Sequence, residues 1–278
     1  MRGAPQAVWV DLACAARSQS LKTSLLRACA VFARSKVTTM AANILKTESI
    51  STTRGELQFA IMGGKSRRRV RRLLEKDPET VAWIDRFQPQ STFWDVGANI
   101  GVFSLYAALD PTTQVVAVEP GAVNFFLLAA SIELNRMEEQ VSPFCIGFDE
   151  RTQLSRLNAT QSIPGASFKI DIGSDSRPFN SSQAALCYSI DDFVGTFKVP
   201  TPTYLKIDVP RLSHHILRGG AATIRRSTRE ILVELDSRTF EPGEMDTCVA
   251  SFEQAGFALA ERFAKKNPEV ADYLFVRQ

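Results

Sequence analysis

With 278 residues, the chain is long enough for one large domain with an N-terminal extension or for two small domains, and its hydrophobic share of 45% is ordinary for a globular protein. A net charge of +3 is too weak to argue for a nucleic-acid partner. Cys14, Cys29, Cys145, Cys187 and Cys248 form no C-x-x-C pair and no Cys/His cluster, which argues against a disulfide framework or a zinc site and for a reducing cytoplasm.

Residues 1 to about 47 are rich in Ala, Ser, Thr and basic side chains, and Asp11 is the one acid before Glu48. They read as a peripheral helix pair; the alternative is an amphipathic targeting or membrane-surface segment making peripheral membrane contact. Asp11 and Arg17 interrupt what would be the apolar part of a signal peptide, and no apolar run reaches the ~18 residues of a membrane span. Residues 50–62 suggest a short hairpin, with Gly55 near its turn and Leu57, Phe59 and Ile61 alternating. The run Lys65-Ser66-Arg67-Arg68-Arg69-Val70-Arg71-Arg72 reads as a solvated basic helix face. Its sharper alternative is a clamp for an acidic substrate, such as a nucleotide-sugar or phosphorylated glycan. Asp77-Pro78-Glu79-Thr80 opens a further helix, with Pro in its first turn. Residues 1–90 are therefore expected to form an N-terminal extension, helical with one hairpin, and residues 91–278 a ligand-binding domain.

The ligand is indicated by Phe93-Trp94-Asp95-Val96-Gly97-Ala98-Asn99-Ile100-Gly101, followed about 20 residues on by Val115-Val116-Ala117-Val118-Glu119. This is a strand, a glycine turn, a helix, and a second strand ending in an acid: the front half of a nucleotide-binding βαβ unit. A dinucleotide site usually has a second glycine where this chain has Asn99, because backbone must close on a pyrophosphate. A side chain there tolerates a ligand without phosphate, such as S-adenosylmethionine. Asp95 would accept from its ammonium, Glu119 would hold its ribose, and the turn Gly97–Gly101 would let backbone approach it. A nicotinamide cofactor is disfavoured by the same missing glycine.

Downstream, helix 100–109 stops near Pro111, a strand spans 114–119, and helix 122–135 buries Val123, Phe126, Leu127 and Ala130 at helical spacing. Residues 141–148 read as the third strand, ending in Asp149. Residues 150–183 are polar and turn-rich, an irregular or hairpin insertion. A strand over 184–189, a short helix from Ile190, strands over 203–209 and 229–236, and a helix over 246–255 closed by Gly256 follow. Strands 257–263 and 273–277 make a last antiparallel hairpin. The expected fold is α/β, with a mostly parallel seven-stranded sheet, one antiparallel strand, and helices on both faces.

The run from Asp95 to Ala108 resembles the first motif of the FkbM-family methyltransferases. So do Glu119-Pro120 with Asn124-Phe125, Glu133-Leu134-Asn135, Ser189-Ile190-Asp191-Asp192-Phe193, Tyr204-Leu205-Lys206-Ile207-Asp208-Val209, Leu217-Arg218-Gly219 and Ile231-Leu232-Val233-Glu234-Leu235. Residues 75–85 are similar to the segment that leads into the fold in one branch of that family. The resemblance covers about residues 50 to 278. It implies a class I (Rossmann-like) methyltransferase fold, S-adenosyl-L-methionine as cofactor, and methyl transfer to a hydroxyl of a sugar, glycan or other hydroxylated metabolite. It also makes Asp149 an adenine-side candidate, against the plainer reading of a surface loop acid. Cofactor-binding candidates are thus Asp95, Gly97, Asn99, Gly101, Glu119 and Asp149.

One stretch departs from the pattern. After Asp208-Val209 the family usually has an acid, a glycine and a second acid two further on, where this chain has Pro210, Arg211 and Ser213. His214 and His215 follow immediately. Deprotonating a hydroxyl needs a positioned base, so Asp208, His214 and His215 are the catalytic candidates, against two packed or surface histidines. Lys206 and Arg211 are substrate-binding candidates; Lys206 could instead pair with Asp208 or Glu234, itself a weaker catalytic candidate. No cluster demands a metal. The alternative to an enzyme is a cofactor-binding relative that has lost catalysis and serves a structural or regulatory role.

Overall fold

Alternation along short apolar strands organises the molecule. In the computed structural model, β3 (Thr92–Val96) turns Phe93 to one side of the sheet and Trp94 and Val96 to the other; β4 (Gln114–Val118) does the same with Val115 and Val116. All five side chains are buried, as strands covered on both faces require. The structure describes residues 45–159, 164–166, 169–170, 181–209, 211–240 and 243–278. The expected helix pair of residues 1–44 and the departure at Pro210 lie outside the described residues.

The main sheet has seven strands, in the order β12-β13-β11-β10-β3-β4-β5. The remaining members are β5 (Val141–Phe144), β10 (Tyr204–Ile207), β11 (Glu230–Asp236), β12 (Phe257–Ala264) and β13 (Val270–Arg277). All are parallel except β13, which runs antiparallel to both β11 and β12. This is the class I methyltransferase arrangement of an α/β fold.

On the Phe93 face lie a hairpin, β1 (Lys46–Thr52) and β2 (Gly55–Ile61), and helices α1 (Gly63–Arg71), α2 (Leu73–Lys76), α3 (Pro78–Ile84), α4 (Val102–Ala107) and α5 (Ala122–Asn135). Leu57, Phe59, Val70 and Trp83 share one core with Phe93, Leu105 and Leu127, so residues 45–90 pack as part of the sheet's own covering layer. On the Trp94 face lie α6 (Ile190–Phe197), α7 (Ser213–Gly219), α8 (Ala221–Ser227) and α9 (Glu244–Gln254).

Two local expectations need correction. Helix α5 buries Asn124, Leu127, Leu128, Ala130, Ser131 and Ile132, while Val123 and Phe126 are 43% and 49% exposed. Its inward polar residues have work to do: Ser131 Oγ accepts from Ala60 N–H at 3.0 Å, and Asn135 Oδ1 accepts from Gln58 N–H at 2.9 Å, which ties the hairpin edge to the helix. The third strand ends at Phe144; Gly147–Phe148 is a separate strand, β6, in a second sheet. That four-stranded sheet, β6-β9-β7-β8, includes β7 (Gln153–Ala159), β8 (Lys169–Ile170) and β9 (Ser181–Tyr188). It is the insertion read from the sequence as irregular or a hairpin.

Candidate functional site

The glycine turn joins β3 to α4. Gly97 has φ +87°, and a β-carbon there would stand 2.3 Å from the carbonyl oxygen of Asp208. Only glycine lets these two strand ends approach so closely. Gly97 N–H and Ala98 N–H both donate to Val118 O, at 2.9 and 3.0 Å, which fixes the turn against the end of β4. Asn99 follows with φ +54° and Gly101 with φ +84°.

Glu119 leaves the end of β4 beside this turn and is 5% exposed. Its Oε2 accepts from Asn99 N–H at 2.9 Å and its Oε1 from Gly121 N–H at 2.8 Å. Burial pushes its pKa up to about 7, against the pull of these hydrogen bonds. Asn99 Nδ2 donates to Ala166 O at 3.0 Å, while Asn99 Oδ1 is buried without a partner among the described residues.

Alternation places Asp95, Lys206, Asp208, Leu232, Glu234 and Asp272 on the Phe93 face, at the end of the sheet where β3, β10 and β11 finish. A small cleft there is lined by Asp77, Thr80, Phe103, Lys206, Asp208, Leu232, Glu234, Lys265 and Asp272. Lys206 Nζ lies 3.2 Å from Asp208 Oδ2 and 3.7 Å from Asp95 Oδ1, and 5.1 Å from the centre of the Phe103 ring. Ser104 Oγ donates to Asp95 Oδ2 at 2.7 Å. Burial opposes the charge on Lys206, yet Asp208 and Asp95 overcome it and raise its pKa. Burial also opposes ionisation of Asp208, but Lys206 holds this carboxyl well below the usual range. Asp95 goes the other way: burial raises it, and Lys206 only partly compensates.

A second lysine closes the far side. Lys265 Nζ reaches Asp77 at 2.9 Å, Glu234 at 2.5 Å and Asp272 at 3.1 Å. The neighbouring Asp208 charge, then burial, raises Glu234. Burial pushes Asp272 up to about 8. Asp77, Glu79 and Asp272 each bring a carboxylate oxygen within 4.8 Å of the others, a spacing compatible with a cation. Two of these three acids already share the Lys265 ammonium, so the chain supplies its own counter-charge.

The histidines are elsewhere. His215 Nδ1 lies 3.4 Å from Asp149 Oδ1 and 3.6 Å from Glu150 Oε2. His214 lies tilted beside it, with ring centres 4.4 Å apart, and burial lowers its pKa to about 4. Neither lines the cleft that holds Asp208. Asp149 is buried; it also accepts from Glu150 N–H at 2.7 Å and Gln153 Nε2 at 2.8 Å. A β-carbon at Gly219 would stand 2.3 Å from Asp149 O, which explains a glycine at the end of α7. Arg211 is half-buried with φ +66°, so the backbone keeps a glycine-like turn while carrying a long side chain.

Sequence reading named Lys206, Asp208 and Glu234 for this region but missed Asp77, Lys265 and Asp272. The signal available for Asp272 was its register: it pairs with Glu234 across β11 and β13. Cys145, Cys187 and Cys248 are free thiols. Among the described residues no helix is long and apolar enough to cross a membrane.

The sequence profile of the methyltransferase FkbM domain matches residues 95–259, more than half of the chain. No curated protein matches. Among solved structures, the chain is similar to a methyltransferase FkbM from Methylobacillus flagellatus KT, with 16% identity, a TM-score of 0.47, and coverage of 68% of this chain and 44% of that one. The chain thus spans less than half the length of that protein. It is also similar to a precorrin-6y C5,15-methyltransferase from Geobacter metallireducens GS-15, at 12% identity, TM-score 0.44, and coverage of 72% and 87%. A third is M. capricolum TrmK in complex with S-adenosyl-homocysteine, at 8% identity, TM-score 0.43, and coverage of 72% and 68%.

Proposed function

The chain belongs to the FkbM methyltransferase family, and from that premise we propose that it is an S-adenosyl-L-methionine-dependent O-methyltransferase acting on a sugar, glycan or other hydroxylated metabolite. The observation that carries this reading is Glu119: a buried carboxylate, oriented by two backbone N–H groups, beside a glycine turn. Fixed in this way, it is suited to accept from a ribose diol. The orphaned Asn99 Oδ1 is a further acceptor for a ligand donor, and Gly97 lets the turn pack directly against the end of β10. These residues fit the adenosine portion of the cofactor, with Asp149 towards the adenine.

When bound, S-adenosylmethionine supplies a methyl group on a sulfonium. The chain's own part is to hold the acceptor hydroxyl in line and take its proton. Asp208, kept ionised by Lys206, orients the hydroxyl as a hydrogen-bond acceptor. Glu234, whose pKa is raised, is the stronger base of the two and the one to receive the proton. Alternating carboxylates and ammonium groups in the cleft suit a polyhydroxylated acceptor, which presents both donors and acceptors. The free thiols support a reducing, cytoplasmic setting.

A second reading, a cofactor-binding relative without turnover, is favoured by Arg211, which carries a side chain at the end of β10 where the family usually has glycine. Calorimetric titration of S-adenosylmethionine and S-adenosyl-homocysteine into wild type and Glu119→Ala tests cofactor binding. The variant should bind about 10- to 150-fold more weakly. No binding to folded wild type at millimolar ligand would sink both readings. Methyl transfer from labelled cofactor into a glycan or metabolite extract separates the enzyme from the inactive relative.

A further inference from the structure

We propose that Asn124 is a positioning residue that clamps the Gly165–Ala166 segment of the insertion against the ribose-binding carboxylate, so that this segment forms part of the cofactor site. The inference rests on the cofactor reading above.

Three parts of the chain, α5, the glycine turn and α1, converge on this short segment. Asn124, on the inward face of α5, donates from Nδ2 to Ala166 O at 2.9 Å and accepts at Oδ1 from Gly165 N–H at 2.8 Å. Asn99 of the glycine turn donates to the same Ala166 O at 3.0 Å. Arg69, from the basic run on α1, donates from Nε to Gly165 O at 2.7 Å. Gly165 has φ +80°, and a β-carbon there would stand 2.8 Å from the backbone nitrogen of Ser66. The segment therefore fits flush against α1 only as glycine.

The link to the ribose site is direct. An amide nitrogen carries two N–H donors. Asn124 spends one on Ala166 O, and its amide also favours the ionised form of the Glu119 carboxyl. The groups around Glu119 are then the N–H groups of Asn99 and Gly121, the Asn124 amide, the Arg69 charge on α1, and the Cys145 thiol beyond the end of β5. Asn99 bonds both the acid, through its N–H, and the insertion, through Nδ2, while Asn124 holds the same insertion segment from α5. Full burial of an asparagine that satisfies backbone groups 41 and 42 positions away is costly unless each bond is made. The family resemblance noted this residue within a motif but gave no reason for its chemistry; the clamp supplies one.

The test needs no acceptor. S-adenosyl-homocysteine is titrated calorimetrically between pH 6 and 8.5 into wild type, Asn124→Ala, Asn124→Gln and Gly165→Ala, with circular dichroism melts to establish folding. Wild-type affinity should rise with pH as Glu119 ionises. Asn124→Ala should bind at least tenfold more weakly, and its pH midpoint should move upward because an amide that favours the ionised carboxyl is gone. Gly165→Ala, which leaves Asn124 intact, should also weaken binding; Asn124→Gln should recover part of the loss. Wild-type affinity and pH midpoint in folded Asn124→Ala, or tighter binding in either alanine variant, would overturn the clamp. If Asn124→Ala does not fold, Gly165→Ala alone decides, since unchanged affinity there removes the segment from the site. Absence of binding to wild type would instead overturn the cofactor reading.

Discussion

The carbonyl oxygen of Asp208 lies 2.3 Å from where a β-carbon of Gly97 would stand, so the candidate cofactor turn and the candidate acceptor strand are in contact through a missing side chain. Gly97→Ala should therefore perturb both. The left-handed φ of +87° costs an alanine about 1–2 kcal/mol by itself, and the clash with Asp208 adds to that. Urea unfolding should show the stability loss, and affinity for S-adenosyl-homocysteine should fall with it. Alanine at wild-type stability would mean that the two strand ends are not held together.

Arg211 offers the opposite case. Its φ of +66° is one that glycine adopts without penalty. Arg211→Gly should stabilise the protein by about 1 kcal/mol through relief of backbone strain, seen as a raised urea midpoint. If stability instead falls, the Arg211 side chain makes a packing contribution larger than the strain it causes. Turnover in the same variant reports whether the guanidinium contributes to acceptor binding: a raised KM with unchanged kcat would place it there.

Among the described residues, Lys206 is the sole ammonium within reach of Asp95, and Asp208 shares it. Lys206→Met would keep the volume but leave the buried Asp95 carboxylate facing the half-buried Asp208 without a counter-charge. Breaking a buried pair in this way costs about 3–5 kcal/mol. Adding Asp95→Asn should restore part of that loss, because the acid that burial already penalises is then neutral. A double variant no more stable than Lys206→Met would show that Asp95 and Lys206 do not couple.

Asp272 makes stability depend on pH. Its folded pKa is about 8, raised from 3.8 by burial and by Glu234 beside it. The folded state therefore holds a proton that the unfolded chain releases near pH 4. The resulting stability is fully present below pH 4 and is lost progressively as pH rises through about 8. Wild type should be less stable to urea at pH 8 than at pH 5, and Asp272→Asn should flatten that difference. An unchanged slope in the variant would assign the pH dependence to the other acids with raised pKa, Glu119, Asp95 and Glu234, which act in the same direction.

Much of this was legible in the sequence where a local pattern carried the information. The β3 strand, the glycine turn and Glu119 form one ordered signature, and apolar runs bounded by turn residues marked the strands of the seven-stranded sheet. The misses arose where tertiary contact overrode pattern. Counting apolar residues on α5 selected Val123 and Phe126, but the inward face is chosen by Asn124, Ser131 and Asn135, which satisfy backbone of the hairpin and the insertion. The second sheet was missed because β7 and β9 pair across a long polar stretch that resembles loop. Lys265 gave no signal, since its three acid partners lie on α3's N-terminus, β11 and β13.

The placement of the histidines separates two assignments of the proton acceptor. His215 stands against Asp149, the residue proposed to face the adenine, and not among the residues that line the acidic cleft. Joint replacement, His214→Ala with His215→Ala, should then act mainly on the cofactor: Asp149 loses a partner, affinity for S-adenosyl-homocysteine falls several-fold, and kcat at saturating cofactor changes little. Glu234→Gln should behave in reverse. It keeps the shape of the side chain and removes the base, so kcat should fall about 10²- to 10⁴-fold, while calorimetric affinity for S-adenosyl-homocysteine stays within about twofold of wild type. Asp208→Asn should raise the KM of the acceptor as well as lower kcat, because it loses an orienting acceptor that Lys206 keeps charged. A histidine double variant with kcat reduced a hundredfold at saturating cofactor, beside a Glu234→Gln enzyme of normal rate, would return the base to α7 and remove it from the cleft.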